Sequence, residues 1–114
     1  MASFDVLPAV AVDGIRLSVS AVGLKKAKQG TNGTTLSPLS DVALIEARPG
    51  SSVAATFTLN RFEAAPVTVA RSHLAKRNPD QATYLLINAG NTNAGTGRPG
   101  MDAALHCCAI VSSQ

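Results

Sequence analysis

Between Ala82 and Val111 the chain reads ATYLLINAGNTNAGTGRPGMDAALHCCAIV, and this stretch restricts the fold more than any other. Ala82 to Asn88 is a nearly continuous apolar run, the pattern of a central strand covered on both faces. It empties into a loop of Asn, Gly, Thr and Ala, with three asparagines and four glycines from Asn88 to Gly100. Met101, Ala104, Leu105, Cys108 and Ile110 or Val111 then repeat near helical spacing, with Pro99 or Gly100 at the helix start. A buried strand, a glycine-rich loop and a helix in succession belong to an α/β or α+β domain.

The rest of the chain supplies the other layers. Arg16 to Val22 alternates apolar and polar positions, as a strand with one buried face does. Asp41 to Glu46 is a second strand signal, closed by Pro49-Gly50 as a tight turn. Ser52 to Leu59 alternates again and predicts a third strand, the hairpin partner of the second. Between the first two strands, Lys25 to Pro38 is polar and turn-rich, with TNGT as a hairpin tip or exposed loop. Glu63 to Lys76 fits both periods: VTVA alternates, while Val67, Ala70, Arg71 and Leu74 share one helical face. Pro66 is tolerated in a first helical turn, which favours the helix. Asn78-Pro79-Asp80 is a turn. The expected fold is therefore α/β (α+β), a mixed sheet with flanking helices, residues 1–114 forming a single domain or part of one.

Composition excludes several function classes. The apolar supply is Ala, Val, Leu and Ile, with one Tyr, three Phe and no Trp. That favours layers of small aliphatic side chains over aromatic anchors. The net charge of +3 is mild, and the basic residues lie apart, with Lys25, Lys26 and Lys28 in one place and Arg71, Lys76 and Arg77 in another. With only one Tyr available to stack on bases, no nucleic-acid partner is expected. No segment approaches the roughly 20 apolar residues that span a bilayer. The N-terminus lacks a basic region before an apolar run, so no secretory signal is read there. A cytoplasmic protein with no membrane partner is expected. Cys107 and Cys108 are adjacent, without C-x-x-C spacing, and read as small buried hydrophobes.

The Asn/Gly loop lies where open sheets present ligands to a helix N-terminus. Its glycines, Gly90, Gly95, Gly97 and Gly100, do not match G-x-G-x-x-G, and no G-K-[ST] is present. Generic anion binding and a self-locking loop both remain open. In the second case Asn88, Asn91 and Asn93 tie the loop through side-chain to backbone bonds, and the glycines supply positive φ. Asn88, Gly90, Asn91, Asn93 and Gly95 are the candidate site residues, in a loop beside a site. His106 and Cys107 suggest a hydrolytic dyad, but successive helical residues point about 100° apart. His73 stands alone. Asp41, Glu46, Glu63 and Asp102 form no paired-carboxylate motif. No metal site, cofactor motif or catalytic residue is read in this chain.

Three phrases carry a resemblance: SDVALIEA, then VAATFTLNRFEAAPVTVARSHL, then LLINAGNTNAGTGRPGMDAA. Phe57-Thr58-x-Asn60 followed by Ala64-Ala65-Pro66-Val67, and Asn88-x-Gly90-Asn91-x-Asn93-Ala94, are its most specific parts. In order and spacing, over roughly Gly14 to Ala104, the chain resembles the N-terminal part of the ornithine acetyltransferase family. This is the bifunctional glutamate N-acetyltransferase/N-acetylglutamate synthase of arginine biosynthesis. Lys25 to Ser40 is looser and longer than the family's pattern.

The resemblance implies an αββα-type fold and an autoproteolytic precursor. Cleavage frees a Thr whose own α-amine serves as base. Acetyl passes from N-acetylornithine to that Thr and then to glutamate, and acetyl-CoA serves some members. A Thr-Gly pair provides the oxyanion hole. Thr96-Gly97 lies inside the Asn/Gly loop and does not match that pair, and both family motifs fall beyond Gln114. The implied partner is a complementary C-terminal chain beginning with Thr. Two function readings follow. One is the N-terminal segment of an acetyltransferase, inactive by itself and apolar where its strands lack neighbours. The other is a non-catalytic α/β module binding a small anion or a partner protein through the loop.

Overall fold

The computed structural model describes residues 11–24 and 40–113. Lys25 to Pro38, read above as a hairpin tip or loop, lies outside the described residues. The elements in chain order are β1 (Ile15–Ser20), β2 (Val42–Ala47), α1 (Ala65–Ala75), β3 (Thr83–Asn88) and α2 (Gly97–Ser112). The strands form one three-stranded sheet in the order β1-β2-β3. Both pairings are antiparallel, so the fold is α+β, and the expected mixed pairing is antiparallel throughout the described residues.

The register explains what the alternation in the sequence is for. Leu17 faces Ile45, which faces Leu85; Val19 faces Ala43, which faces Ile87. Side chains opposite one another across a ladder lie on the same face. One face is therefore Ile15, Leu17, Val19, Ala43, Ile45, Ala47, Thr83, Leu85 and Ile87, apolar but for a single threonine. It is open. Leu17 is 59% exposed, Val19 70%, Leu85 52% and Ile87 43%.

Two expectations change here. Ser52 to Leu59 is not the hairpin partner of β2; residues 51–60 run without ladder pairing. Both edges of β2 are already taken, by β1 and β3, so the alternating segment has no edge of β2 left to join. Its carbonyls instead meet arginines: Arg77 donates to the Ser51 carbonyl and Arg71 to that of Thr58 at 3.3 Å. The second change concerns the apolar run at 82–88. It is a strand, but among the described residues an edge strand, since β2 takes the central place. Tyr84, Leu85, Leu86 and Ile87 stay between 36% and 52% exposed.

The turns follow local chemistry. The Ser51 amide donates to the Arg48 carbonyl at 3.2 Å around Pro49 and Gly50, with Gly50 at φ 83°. Proline first and a positive-φ glycine second define a type II turn. At 78–81 the Gln81 amide donates to the Asn78 carbonyl at 3.2 Å, and the Asp80 amide to Asn78 Oδ1 at 2.9 Å. Helix α1 starts with proline in its first turn, where no intrahelical donor is needed. It packs on α2. The side chain it buries is Val69, at 5% exposure, while Ala70 and Arg71 of the expected face stay exposed and Val67 and Leu74 are half-buried. Helix α2 also touches β3. It begins earlier than its apolar repeat, at Gly97, and Pro99 falls in its first turn.

Candidate functional site

The loop between β3 and α2 has a defined start. Asp41, 3% exposed, accepts from the Val22 amide at 2.7 Å and the Leu24 amide at 2.5 Å through its two carboxylate oxygens. Its own amide donates to the Ser20 carbonyl at 3.0 Å, and its carbonyl accepts from the Ala89 amide at 2.8 Å. One residue thus gathers the end of β1, the start of β2 and the first residue after β3. Sequence reading grouped Asp41 with unpaired carboxylates. Its only signal was a polar residue directly before an apolar strand.

Beyond Ala89 the asparagines bond to one another. Asn91 Nδ2 donates to Asn93 Oδ1 at 3.0 Å, and Asn93 Nδ2 donates to Asn88 Oδ1 at 2.9 Å. The expected side-chain to backbone ties are replaced by this side-chain relay. A backbone contact comes from Thr96, whose hydroxyl donates to the Asn93 carbonyl at 3.4 Å. Gly90 and Gly95 carry φ of 101° and 69°, the left-handed region that side chains avoid. The relay joins Asn88 at the end of β3 with Asn91 and Asn93 of the loop, while Gly90 and Gly95 set the loop's backbone course. The relay leaves Asn88 Nδ2 and Asn91 Oδ1 at its two ends, a donor and an acceptor available to a ligand. The loop from 88 to 97 holds no charged side chain. It can orient a polar group, but it holds no basic or acidic side chain that would activate its two threonine hydroxyls.

A second segment meets this loop. At 57–63 the Asn60 amide donates to Thr58 Oγ1 at 3.1 Å and the Phe62 amide to Asn60 Oδ1 at 3.0 Å. Arg71 of α1 donates to Glu63 at 2.8 Å and stands 5.2 Å above the Phe57 ring. Thr68 donates to the other Glu63 oxygen at 2.9 Å. The Phe62 ring lies against Gly95, so close that a Cβ there would sit 3.1 Å from Cζ. The two sequence motifs, around Asn60 and around Asn91, are therefore neighbours in space. Phe62 and Arg71 were not singled out from sequence as site residues. A phenylalanine within an otherwise polar turn was the available signal.

The remaining candidates stay apart. His73 and His106 are exposed on different helices, and among the described residues no hydrogen bond joins His106 to Cys107. The cysteines are not both buried as expected: Cys107 is exposed and Cys108 half-buried. Burial pushes the Cys108 thiol up, and neighbouring Cys107 adds to the shift. Two shallow grooves, of about 270 and 300 Å³, lie on β1 and β2 around Arg16 and Glu46. The acids there are already engaged, Glu46 with Arg16 and Asp13 with Arg48. Among the described residues no cluster of three or more His, Cys, Asp or Glu is placed to hold a metal. No described helix is long and apolar enough to cross a membrane.

Residues 24–114 match the ArgJ family model. The chain belongs to the ArgJ family. It is 45% identical over 103 residues to the arginine biosynthesis bifunctional protein ArgJ of Neisseria gonorrhoeae, covering 90% of this chain and 22% of that protein. The ArgJ of Methylococcus capsulatus is 42% identical over 102 residues, with the same coverage. The chain thus spans about a fifth of the length of these curated relatives. Among solved structures, ornithine acetyltransferase from Mycobacterium tuberculosis, complexed with ornithine, superposes with a TM-score of 0.59 at 28% identity. That match covers 81% of this chain and 42% of the other. The segments at 57–67 and 88–94 lie inside the matched region.

Proposed function

We propose that this chain is the N-terminal segment of an acetyltransferase that moves acetyl from N-acetylornithine to glutamate in arginine biosynthesis. In this reading it works only when joined to a complementary C-terminal chain that begins with a threonine. Membership of the ArgJ family supports the chemistry, as does the fold shared with an ornithine acetyltransferase. The open apolar sheet face carries the claim that a further chain is needed. Burying a Leu, Ile or Val side chain fully is worth about 1.5–3 kcal/mol. Leu17, Val19, Leu85 and Ile87 keep half or so of that in reserve, on the order of 5 kcal/mol together. A whole small domain has only about 5–15 kcal/mol of net stability. A free-standing binding module would not leave that much uncovered.

The division of labour follows from what the described residues offer. The nucleophile and base are one threonine, its hydroxyl and its own α-amine, on the complementary chain. The acyl oxygen gains negative charge as the tetrahedral intermediate forms, and the Thr-Gly pair that the family resemblance implies stabilises it. From this chain the Asn88–Gly95 loop lies beside the site. Its uncharged donors and acceptors orient polar groups without competing for the proton. Acetyl-CoA as a second donor fits the same scheme, and a soluble biosynthetic enzyme of this kind works in the cytoplasm.

The test is acetyl transfer. Co-expression with the remaining segment of an ArgJ protein is expected to give a complex that forms N-acetylglutamate from N-acetylornithine and glutamate. A complex that assembles and transfers no acetyl sinks the reading.

A further inference from the structure

We propose that Phe62 is a positioning residue for the Asn/Gly loop, its ring acting as a stop that fixes the course of the chain at Gly95. Phe62 is 69% exposed, yet its ring edge lies in contact with that glycine. Isolated apolar side chains on a surface are ordinary. This one is set apart by the fixing of the turn that presents it. Asn60 and Thr58 close the turn through the two side-chain to backbone bonds at 3.0 and 3.1 Å. Arg71 then ties it to α1 through the Thr58 carbonyl and the Glu63 carboxylate, with the Phe57 ring beneath the guanidinium. The ring is tied to a helix through a turn closed by several bonds together.

The loop needs such a stop. Gly95 has the widest backbone freedom of any residue type, and at φ 69° it has adopted a conformation that a side chain would resist. The start of the loop is anchored by the Ala89 amide on the Asp41 carbonyl. Between the anchors run the asparagine bonds, which are exposed and therefore individually weak. Apart from the ring, the Gly95 side of the loop is held by two long bonds at Thr96, its hydroxyl to the Asn93 carbonyl at 3.4 Å and its carbonyl from the Gly100 amide at 3.3 Å. Arg71, Asn60 and Phe62 thus work as one bracket, and the residues at 57–63 act on the loop through a single aromatic contact.

The test uses this chain assembled with its complementary chain, comparing wild type, Phe62→Ala, Phe62→Tyr and Phe62→Leu by hydrogen exchange and kinetics. In Phe62→Ala, amides at 90–97 should exchange about fivefold faster or more, with α1 and β2 unchanged. KM for N-acetylornithine should rise more than kcat falls. Phe62→Tyr, whose hydroxyl is added at Cζ where the ring meets Gly95, should also disturb the loop, whereas Phe62→Leu, which keeps apolar bulk there, should restore part of both. Loop exchange that is unchanged, or faster evenly along the whole chain, overturns the proposal. So does an unaltered KM in an active assembly. The kinetic arm rests on the acetyltransferase reading. If wild-type assembly transfers no acetyl, that reading fails, and exchange at 90–97 still decides the role of Phe62.

Discussion

Asp41 shows how much one side chain can organise. Its carboxylate satisfies two backbone amides in a place almost closed to water, and a buried donor left without its acceptor costs about 1–3 kcal/mol. Asp41→Ala should therefore lower the stability of the assembled protein by about 2–4 kcal/mol in a denaturant titration. Asp41→Asn keeps one acceptor oxygen but turns an NH2 group towards the second amide, so it should lose part of that. Gly100 makes a different case. Alanine in a helix is ordinarily better than glycine by about 1 kcal/mol. Here a Cβ would overlap the Thr96 side chain, including its Cβ, so Gly100→Ala should lower the melting temperature rather than raise it. At the cysteines, Cys107 is exposed and Cys108 has its thiol pushed up by burial. A raised thiol holds less thiolate at neutral pH, and the thiolate is the nucleophile. Iodoacetamide should mark Cys107 first in this chain, and Cys108 should catch up only as the pH rises. The Asp41 site could not be read from the sequence because its amide donors lie 19 and 17 residues away, nor the cysteines because burial there depends on packing. The Gly100 contact is local but depends on the backbone course at the helix start.

At the scale of elements, much more was legible. β1, β2 and β3, both helices and the turns at 49–50 and 78–80 follow from local patterns: period-two alternation, a first-turn proline, an Asn-Pro-Asp turn. Ser52 to Leu59 has the same alternation and is no strand, because alternation says which face a strand would bury and nothing about a partner edge. The run at 82–88 looked central because its side chains are apolar on both faces, yet among the described residues it sits at an edge. The pattern of β3 suits a strand with more cover than these residues give it. The five loop residues were legible as a group from their composition, but not the relay that joins them, nor the bracket at Phe62. Leu17→Ser and Leu85→Ser on the open face are expected to change the melting of the isolated chain little. In the completed protein each should cost about 2–3 kcal/mol, measurable as a lower denaturation midpoint. Equal effects in both settings would mean that the face has no partner.

For the molecule as a whole, the apolar sheet face is the feature that calls for a partner. Exposed contiguous apolar surface of this kind marks an interaction site or an aggregation hazard. In isolation the chain should self-associate and bind an apolar dye, and the complementary chain should abolish both. Acetyl transfer from N-acetylornithine to glutamate is the decisive measurement, made on the isolated chain and on the chain co-expressed with a C-terminal partner beginning at threonine. The expected result is no turnover in the first sample and sustained N-acetylglutamate formation in the second. Turnover by the isolated chain, or an assembled complex without turnover, would contradict the account.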